Sequence, residues 1–254
     1  MKTLFGLLVT PVILYGCEVW GSSMFEQKWR QVERIQKHFI TCNLKFKTTV
    51  PYEILLAEVG SFPLEVVALV RMLSYLKKTQ GLETHRWPKL VIEEELVRRK
   101  STWMKQNHKW MQKWDINIQA CPDNIKEIKK FVNEKFRNLL WTRHMGRKKS
   151  YYIKEFNPTS SHEEKAYIRA PIKWKAKMLM AQLRTSSHRL RCETGRWQIP
   201  KEEWADRTCL FCNMGIVETE QHFVKECLAY NDIRSGIHKY CRTKTSTIYL
   251  RKIK

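Results

Sequence analysis

The stretch Met24-Phe25-Glu26-Gln27-Lys28-Trp29-Arg30-Gln31-Val32-Glu33-Arg34-Ile35-Gln36-Lys37-His38-Phe39-Ile40-Thr41-Cys42-Asn43-Leu44-Lys45-Phe46 sets Phe25, Trp29, Val32, Ile35, Phe39, Ile40 and Leu44 three or four residues apart. Residues at those steps share one face of a helix, and Lys28, Arg30, Glu33, Arg34 and Lys37 fill the other. The spacing therefore predicts an amphipathic helix and a mainly α fold. Downstream, Thr48-Thr49-Val50-Pro51 interrupts the pattern, residues 52–58 form a short second helix, and Gly60 ends it. Pro63 opens a third helix, in which Leu64, Val67, Ala68, Val70, Arg71, Leu73 and Leu76 run to Lys77-Lys78 and a stop at Gly81. Residues 1–80 thus read as one helical unit.

Residues 1–20 carry an apolar run from Leu4 to Leu14, followed by Tyr15-Gly16-Cys17-Glu18. The run imitates a signal peptide, even a lipoprotein cleavage site before Cys17. Tyr15 is bulky where cleavage wants a small residue, and only Lys2 precedes the run. It is also shorter than the roughly 20 apolar residues that span a bilayer. The expectation is a buried helix or strand in an intracellular protein, nuclear or cytoplasmic.

Beyond residue 80 the chain becomes more basic. Trp103, Trp110, Met111 and Trp114 keep helical phase, which reads as a core stripe, with a base-stacking platform as the alternative. Pro122-Asp123 opens a helix to about Thr142, with Ile125, Ile128, Phe131, Val132, Phe136, Leu139 and Leu140 facing inward. A basic loop containing Arg147, Lys148 and Lys149 and a linker at 157–161 follow, so residues 81–164 form a basic helical connector and 165–254 a further domain. That domain begins helix-rich around Pro171, with Lys173, Lys175 and Lys177 interleaved with Trp174, Ala176 and Met178.

Charge narrows the function class. The 254 residues hold 47 Lys+Arg against 25 Asp+Glu, a net +22, and 43% hydrophobic content supports packed cores. A chain so basic seeks a polyanion, and nucleic acid leads over an acidic membrane surface or an acidic protein. Residues 126–254 carry 29 basic and 13 acidic side chains, against 18 and 12 in residues 1–125. Contact is therefore expected mainly in the second half. Nothing in the composition suits a disordered, collagenous or solenoid chain.

The strongest chemical signal is Cys209-Leu210-Phe211-Cys212, with His222 ten residues on and Cys227 five further. Two thiolates from one turn plus a later His and Cys make a closed tetrahedral Zn²⁺ site of the structural type, with no position left for water. A redox pair, or a coincidence of spacing, is the competing reading. Glu218 and Glu220 beside Thr219 suggest a helix beginning near His222. Five α-helical residues rotate by about 140°, so Cys227 should fall at a helix end where the chain turns back. Phe211 and Phe223 read as the miniature core of the motif, with stacking on bases as the alternative. Cys192 and Cys241 flank it as ordinary thiols or substitute ligands.

Enzyme signatures are mostly missing. No Gly-rich phosphate loop, Gly-x-Ser-x-Gly or His-Glu-x-x-His occurs. Pro122-Asp123 with Glu127-Ile128-Lys129 is similar to a nuclease signature, but both carboxylates lie on one predicted helix, which points to chance.

Several segments together resemble one family, the C-terminal portion of LINE-type (non-LTR) retrotransposon reverse transcriptases. Tyr15-Gly16-Cys17-Glu18-Val19-Trp20 is similar to the block past the family's palm, and Glu58-Val59-Gly60-Ser61-Phe62-Pro63-Leu64 to a later segment. His188-Arg189-Leu190, Glu193-Thr194-Gly195-Arg196-Trp197 and Ile199-Pro200 then lead into the Cys209–Cys227 motif, as in the family's zinc-binding region. The resemblance implies a thumb-like helical element in 1–80. It also implies, in 165–254, a knuckle with Cys209, Cys212, His222 and Cys227 as ligands, binding element RNA or target DNA. The polymerase's paired aspartates have no counterpart: Asp115, Asp123, Asp206 and Asp232 stand apart. The expectation is a truncated fragment or domesticated remnant. Such a protein would be non-catalytic, would hold Zn²⁺, and would bind RNA or DNA with low sequence specificity through Arg147, Lys148, Lys149, Lys173, Lys175, Lys177, Arg189, Arg191 and Arg196. A zinc-stabilised protein-interaction module is the alternative.

Overall fold

The computed structural model describes residues 2–24, 26–97, 102–144 and 163–236. The fold is mainly helical, and the described residues contain no strand beyond one isolated bridge. The chain divides into two compact units, Met1–Thr185 and Ser186–Lys254.

In the first unit, α1 (Glu26–Leu44), α2 (Tyr52–Val59) and α3 (Leu64–Gln80) follow the predicted order. Next come α4 (Trp87–Val97), α5 (Thr102–Lys113), α6 (Ile125–His144) and α7 (Trp174–Arg184). Central to the unit is α3, which packs against Cys17–Trp20, α1, α4 and α6. A helix with neighbours on several sides buries more than one stripe. Accordingly Val66, Leu69 and Met72 are buried beside Leu64, Ala68, Leu73 and Leu76, whereas Val67 and Val70 are only partly covered. The predicted single face was too narrow. Along α6, Ile128, Val132 and Phe136 face inward as expected, but Ile125 sits exposed in the first turn.

The tryptophan stripe belongs to this core. Trp29 stacks between Trp20 and Trp110, with ring centroids 5.9 and 5.8 Å away. Gly21 permits this, because a Cβ there would lie 3.0 Å from the Trp110 ring. Trp110 and Trp114 are buried, which removes them as a base-stacking platform.

The N-terminal segment is helical, but only one side packs. Phe5, Leu14 and Cys17 are buried, while Leu4, Leu7, Leu8 and Val12 lie on the surface. A run apolar all round cannot bury every face against one neighbour, so the expectation of a buried segment holds for half of it. No single helix among the described residues is long and apolar enough to cross a membrane.

A second core cluster joins α1 and α2 to the segment after residue 165: Ile40, Leu44, Leu55 and Leu56 pack with Ile168 and Ala181. At its edge the fully buried Glu58 accepts hydrogen bonds from Arg184 Nε and Tyr167 Oη, both at 2.6 Å. Gly60 ends α2 in the left-handed region at φ +64°, with Ser61 N–H bonding the Leu56 carbonyl. A Cβ at Gly60 would meet the Glu164 backbone nitrogen at 2.1 Å, so the chain crosses there with no space for a side chain. These contacts hold Ala166–Arg169 and α7 within the first unit. The division falls after Thr185, and not at 164/165 where the linker reading places it. The linker at 157–161 that suggested 164/165 lies outside the described residues.

Carboxylates cluster where α1, α3 and α5 meet. The buried Glu65 accepts Trp110 Nε1 at 2.9 Å and Lys113 Nζ at 2.7 Å, and its own N–H approaches Glu33 Oε1 at 3.4 Å. Burial, with the nearby charges of Glu65 and Glu53, pushes the Glu33 carboxyl up to about 7, against the pull of Lys113 and the Glu65 N–H. A folded-state pKa above the unfolded value of about 4.5 means the protonated form favours folding. This contribution is complete below pH 4.5 and is lost as pH rises through 7. Glu33→Gln, which cannot ionise, is expected to be more stable than the native protein at pH 8 by about 3 kcal/mol and nearly equal to it at pH 4. Urea denaturation at the two pH values measures this, and an unchanged difference between them would count against it.

Candidate metal centre

The second unit is built round a short hairpin. Thr208 and Val217 form the isolated antiparallel bridge, flanked by hydrogen bonds from Cys209 N–H to the Ile216 carbonyl and from Glu218 N–H to the Arg207 carbonyl, each 2.9 Å. Arg207, buried, donates to the carbonyls of Cys192 and Glu202 and so ties the hairpin to the preceding turns. Its anchoring role had no signal in the local sequence.

The hairpin carries Cys209 and Cys212, and the turn after it supplies the other two donors. Thr219 caps that turn through Oγ1, which accepts the His222 N–H at 3.1 Å, as the sequence suggests. The turn is not α-helical. His222–Glu226 is a π-helical turn, closed by a 2.7 Å bond from Cys227 N–H to the His222 carbonyl. An i→i+5 bond widens the turn. It returns Cys227 over His222 instead of leaving it about 140° away.

All four donor atoms consequently lie within 4.8 Å of one another. Cys209 Sγ and Cys227 Sγ are 3.8 Å apart, and Cys212 Sγ is 3.4 Å from His222 Nε2. Tetrahedral coordination at metal–sulfur and metal–nitrogen lengths of about 2.3 and 2.0 Å requires edges of about 3.8 and 3.5 Å. The spacing far exceeds a disulfide, and all four residues fit a single metal ion. His222 is fully buried, and its other ring nitrogen, Nδ1, lacks a hydrogen bond but lies 3.9 Å from Glu226 Oε2. A ligating imidazole uses such a carboxylate to fix its tautomer. The Cys212 thiol is lowered from its ordinary value, chiefly by a hydrogen bond with the Met214 backbone, and burial raises that of Cys227. Phe223 stacks edge-on against Tyr230 at 4.9 Å as a small core, but Phe211 is 63% exposed at the rim.

Beside this centre, His188, Cys192 and Glu220 also converge. Here His188 Nδ1 accepts the Leu190 N–H at 3.2 Å, leaving Nε2 to donate to Glu220 Oε1 at 2.8 Å. That direct bond is shorter than a metal-bridged edge, so the group is a hydrogen-bonded clasp. Burial works against the Glu220 charge, but the bonds from His188 and Ser186 hold its carboxyl below the ordinary range. Burial, reinforced by Glu220, pushes the Cys192 thiol up to about 12. Cys192 thus faces the clasp, and Cys241 lies outside the described residues. Glu218 accepts the Arg191 N–H at 2.7 Å. Both acidic residues fasten residues 186–192 to the metal loop, a tertiary task that their reading as helix-start charges missed.

The described basic residues expected to contact nucleic acid are divided between the two units. Arg147, Lys148 and Lys149 lie outside the described residues. In the first unit Lys173 and Lys175 are exposed, while Lys177 is spent on the Ile168 carbonyl at 2.6 Å. In the second, Arg189 is exposed, Arg191 is paired with Glu202, and Arg196 with Glu193 at 3.2 Å.

Comparison of the chain with protein family models, with curated proteins and with solved structures finds no match.

Proposed function

We propose that this protein is a non-catalytic, zinc-stabilised nucleic-acid-binding protein, derived from the C-terminal portion of a LINE-type reverse transcriptase. The observation that carries the reading is the tetrahedral convergence of Cys209, Cys212, His222 and Cys227 in a chain of net charge +22. Three thiols and one imidazole are the donor set that suits Zn²⁺. Bound there, the ion supplies structure only, since all four positions are taken by protein. The residues round it fasten the loop through Glu218 and Glu220, and Glu226 is the carboxylate nearest the free imidazole nitrogen. Binding itself falls to surface cations that neutralise phosphates.

Affinity for RNA or DNA is expected to fall linearly with salt on logarithmic axes, by a slope of about −0.7 per phosphate contacted on single strands and −0.9 on duplex. Lys173→Gln with Lys175→Gln should flatten the slope by up to about one unit per contact removed and weaken all sequences alike. Lys177→Gln, whose amine bonds a backbone carbonyl, should instead lower stability. Fluorescence anisotropy across a salt series measures the slope. A slope near zero, or no binding at low salt, overturns the reading.

A protein-interaction role has its own supporting observation. Leu210, Phe211, Met214 and Ile216 are exposed on the hairpin that carries two of the metal donors. Salt-insensitive capture of a protein partner, abolished by Phe211→Ser, would favour it.

A further inference from the structure

In the first unit, an open groove of about 580 Å³ lies where α3 ends and α4 begins, lined by Tyr75, Lys78, Leu82, His85, Arg86 and Trp87 among others. The sequence had pointed to the second half of the chain for contacts, and none of these residues had been given a role. Its floor is half-buried Tyr75 and Leu82. At its mouth stands Trp87, 79% exposed, whereas Trp29, Trp110 and Trp114 of the same unit are buried in the core.

The cations round it also differ from their neighbours. Lys77, one residue away, is held by Asp123 at 2.9 Å, and Lys113 by Glu65. Lys78 and Arg86 have no carboxylate partner among the described residues, and no carboxylate lines the groove; Glu83 stands outside it, 3.4 Å from His85. The groove lies between the carbonyl end of α3, whose dipole repels negative charge, and the amide end of α4, whose dipole attracts it, so the two helix ends offset each other. Side-chain cations must supply the attraction, and an exposed indole asks for a flat partner. A ring joined to a phosphate satisfies both demands, and the volume is of small-ligand size.

We propose that this groove binds one unpaired nucleotide of a single strand, its base against Trp87 and Tyr75 and its phosphate held by Lys78 and Arg86. The groove's open shape lets the strand continue on both sides. This rests on the nucleic-acid reading above but places a contact in the first unit, whereas the metal centre belongs to the second.

The test is anisotropy of labelled 12-nucleotide single strands and matching duplexes with the full chain. Trp87→Ala is expected to weaken single-strand binding by about 5- to 150-fold, with the salt slope unchanged and duplex binding little altered. Lys78→Gln with Arg86→Gln, which removes the one phosphate contact, should flatten the single-strand slope by up to about 0.7 units. All three residues are exposed, and unchanged far-UV circular dichroism and thermal midpoint establish that the variants fold. Native protein that binds strands while Trp87→Ala binds them equally well overturns the groove and leaves the general reading standing. Native protein that binds neither strand nor duplex overturns both. Binding of a poly-glutamate peptide that depends on Trp87, without strand binding, assigns the groove to an acidic peptide and also overturns the proposal.

Discussion

Replacing Cys209 with serine or His222 with alanine is expected to reduce bound metal from about one ion per chain to none and to unfold the second unit while the first survives. Among the described residues of that unit, the only buried members of the hydrophobic class are Cys192, Cys209 and Cys227; the other buried residues are Ser187, His188, Gly195, Arg207, Glu218 and His222. With no aliphatic side chain buried among its described residues, this part of the unit gains little from burial and is expected to depend on the ion and on hydrogen bonds. Structural zinc supplies roughly 10–16 kcal/mol of apparent binding energy in finger peptides, far more than such a unit could replace. The first unit keeps both its core clusters. Elemental analysis, with limited proteolysis before and after chelation, should show new cleavage within about 205–230 and protection of the helices before residue 144. Unchanged resistance in 205–230 after chelation would show that the donors hold no structural ion.

Glu58→Ala is expected to destabilise the first unit by about 3–5 kcal/mol, because it leaves the Arg184 guanidinium largely enclosed without its counter-charge. It also strips Tyr167 of its acceptor. Glu58→Gln, which keeps an acceptor oxygen, should lose less. Joint replacement of Glu58 and Arg184 by methionine should recover much of the loss, since burying no charge costs less than burying one unpaired. Urea unfolding of the three variants measures the differences. A loss under about 1 kcal/mol for Glu58→Ala would show that the ion pair contributes nothing beyond its exposed counterparts.

Legibility followed the range of each interaction. The helix α1 was readable because one side packs and the other is exposed, so its residues alternate in character at helical steps, but Ile35, expected on the inner face, is exposed and Gln36 is buried beside it. The inward face of α3 was misjudged because a helix surrounded by neighbours hides its orientation. The metal donors were readable from spacing, since a closed site draws them from one short stretch. Their geometry was not, because the wide turn at His222–Glu226 departs from the α-helical rotation. The roles of Glu218 and Glu220 and the division after Thr185 escaped for one reason. Their partners are distant in sequence, 126 residues away for Glu58 and Arg184 and 32 for Glu220 and His188.

By itself the sequence determined the helical class, the four converging Cys and His residues that could hold a metal, and the basic balance, because periodicity, residue spacing and charge are properties of neighbouring residues or of their sum. Only the tertiary structure decided which indoles are core and which is left at a groove, which lysines are already engaged, and that α7 belongs to the first unit. Burial and pairing depend on what the rest of the chain brings alongside a residue. Trp87 and Trp110 are chemically identical, and it is the closing of α5 over Trp29 that sends one inward and leaves the other exposed to solvent.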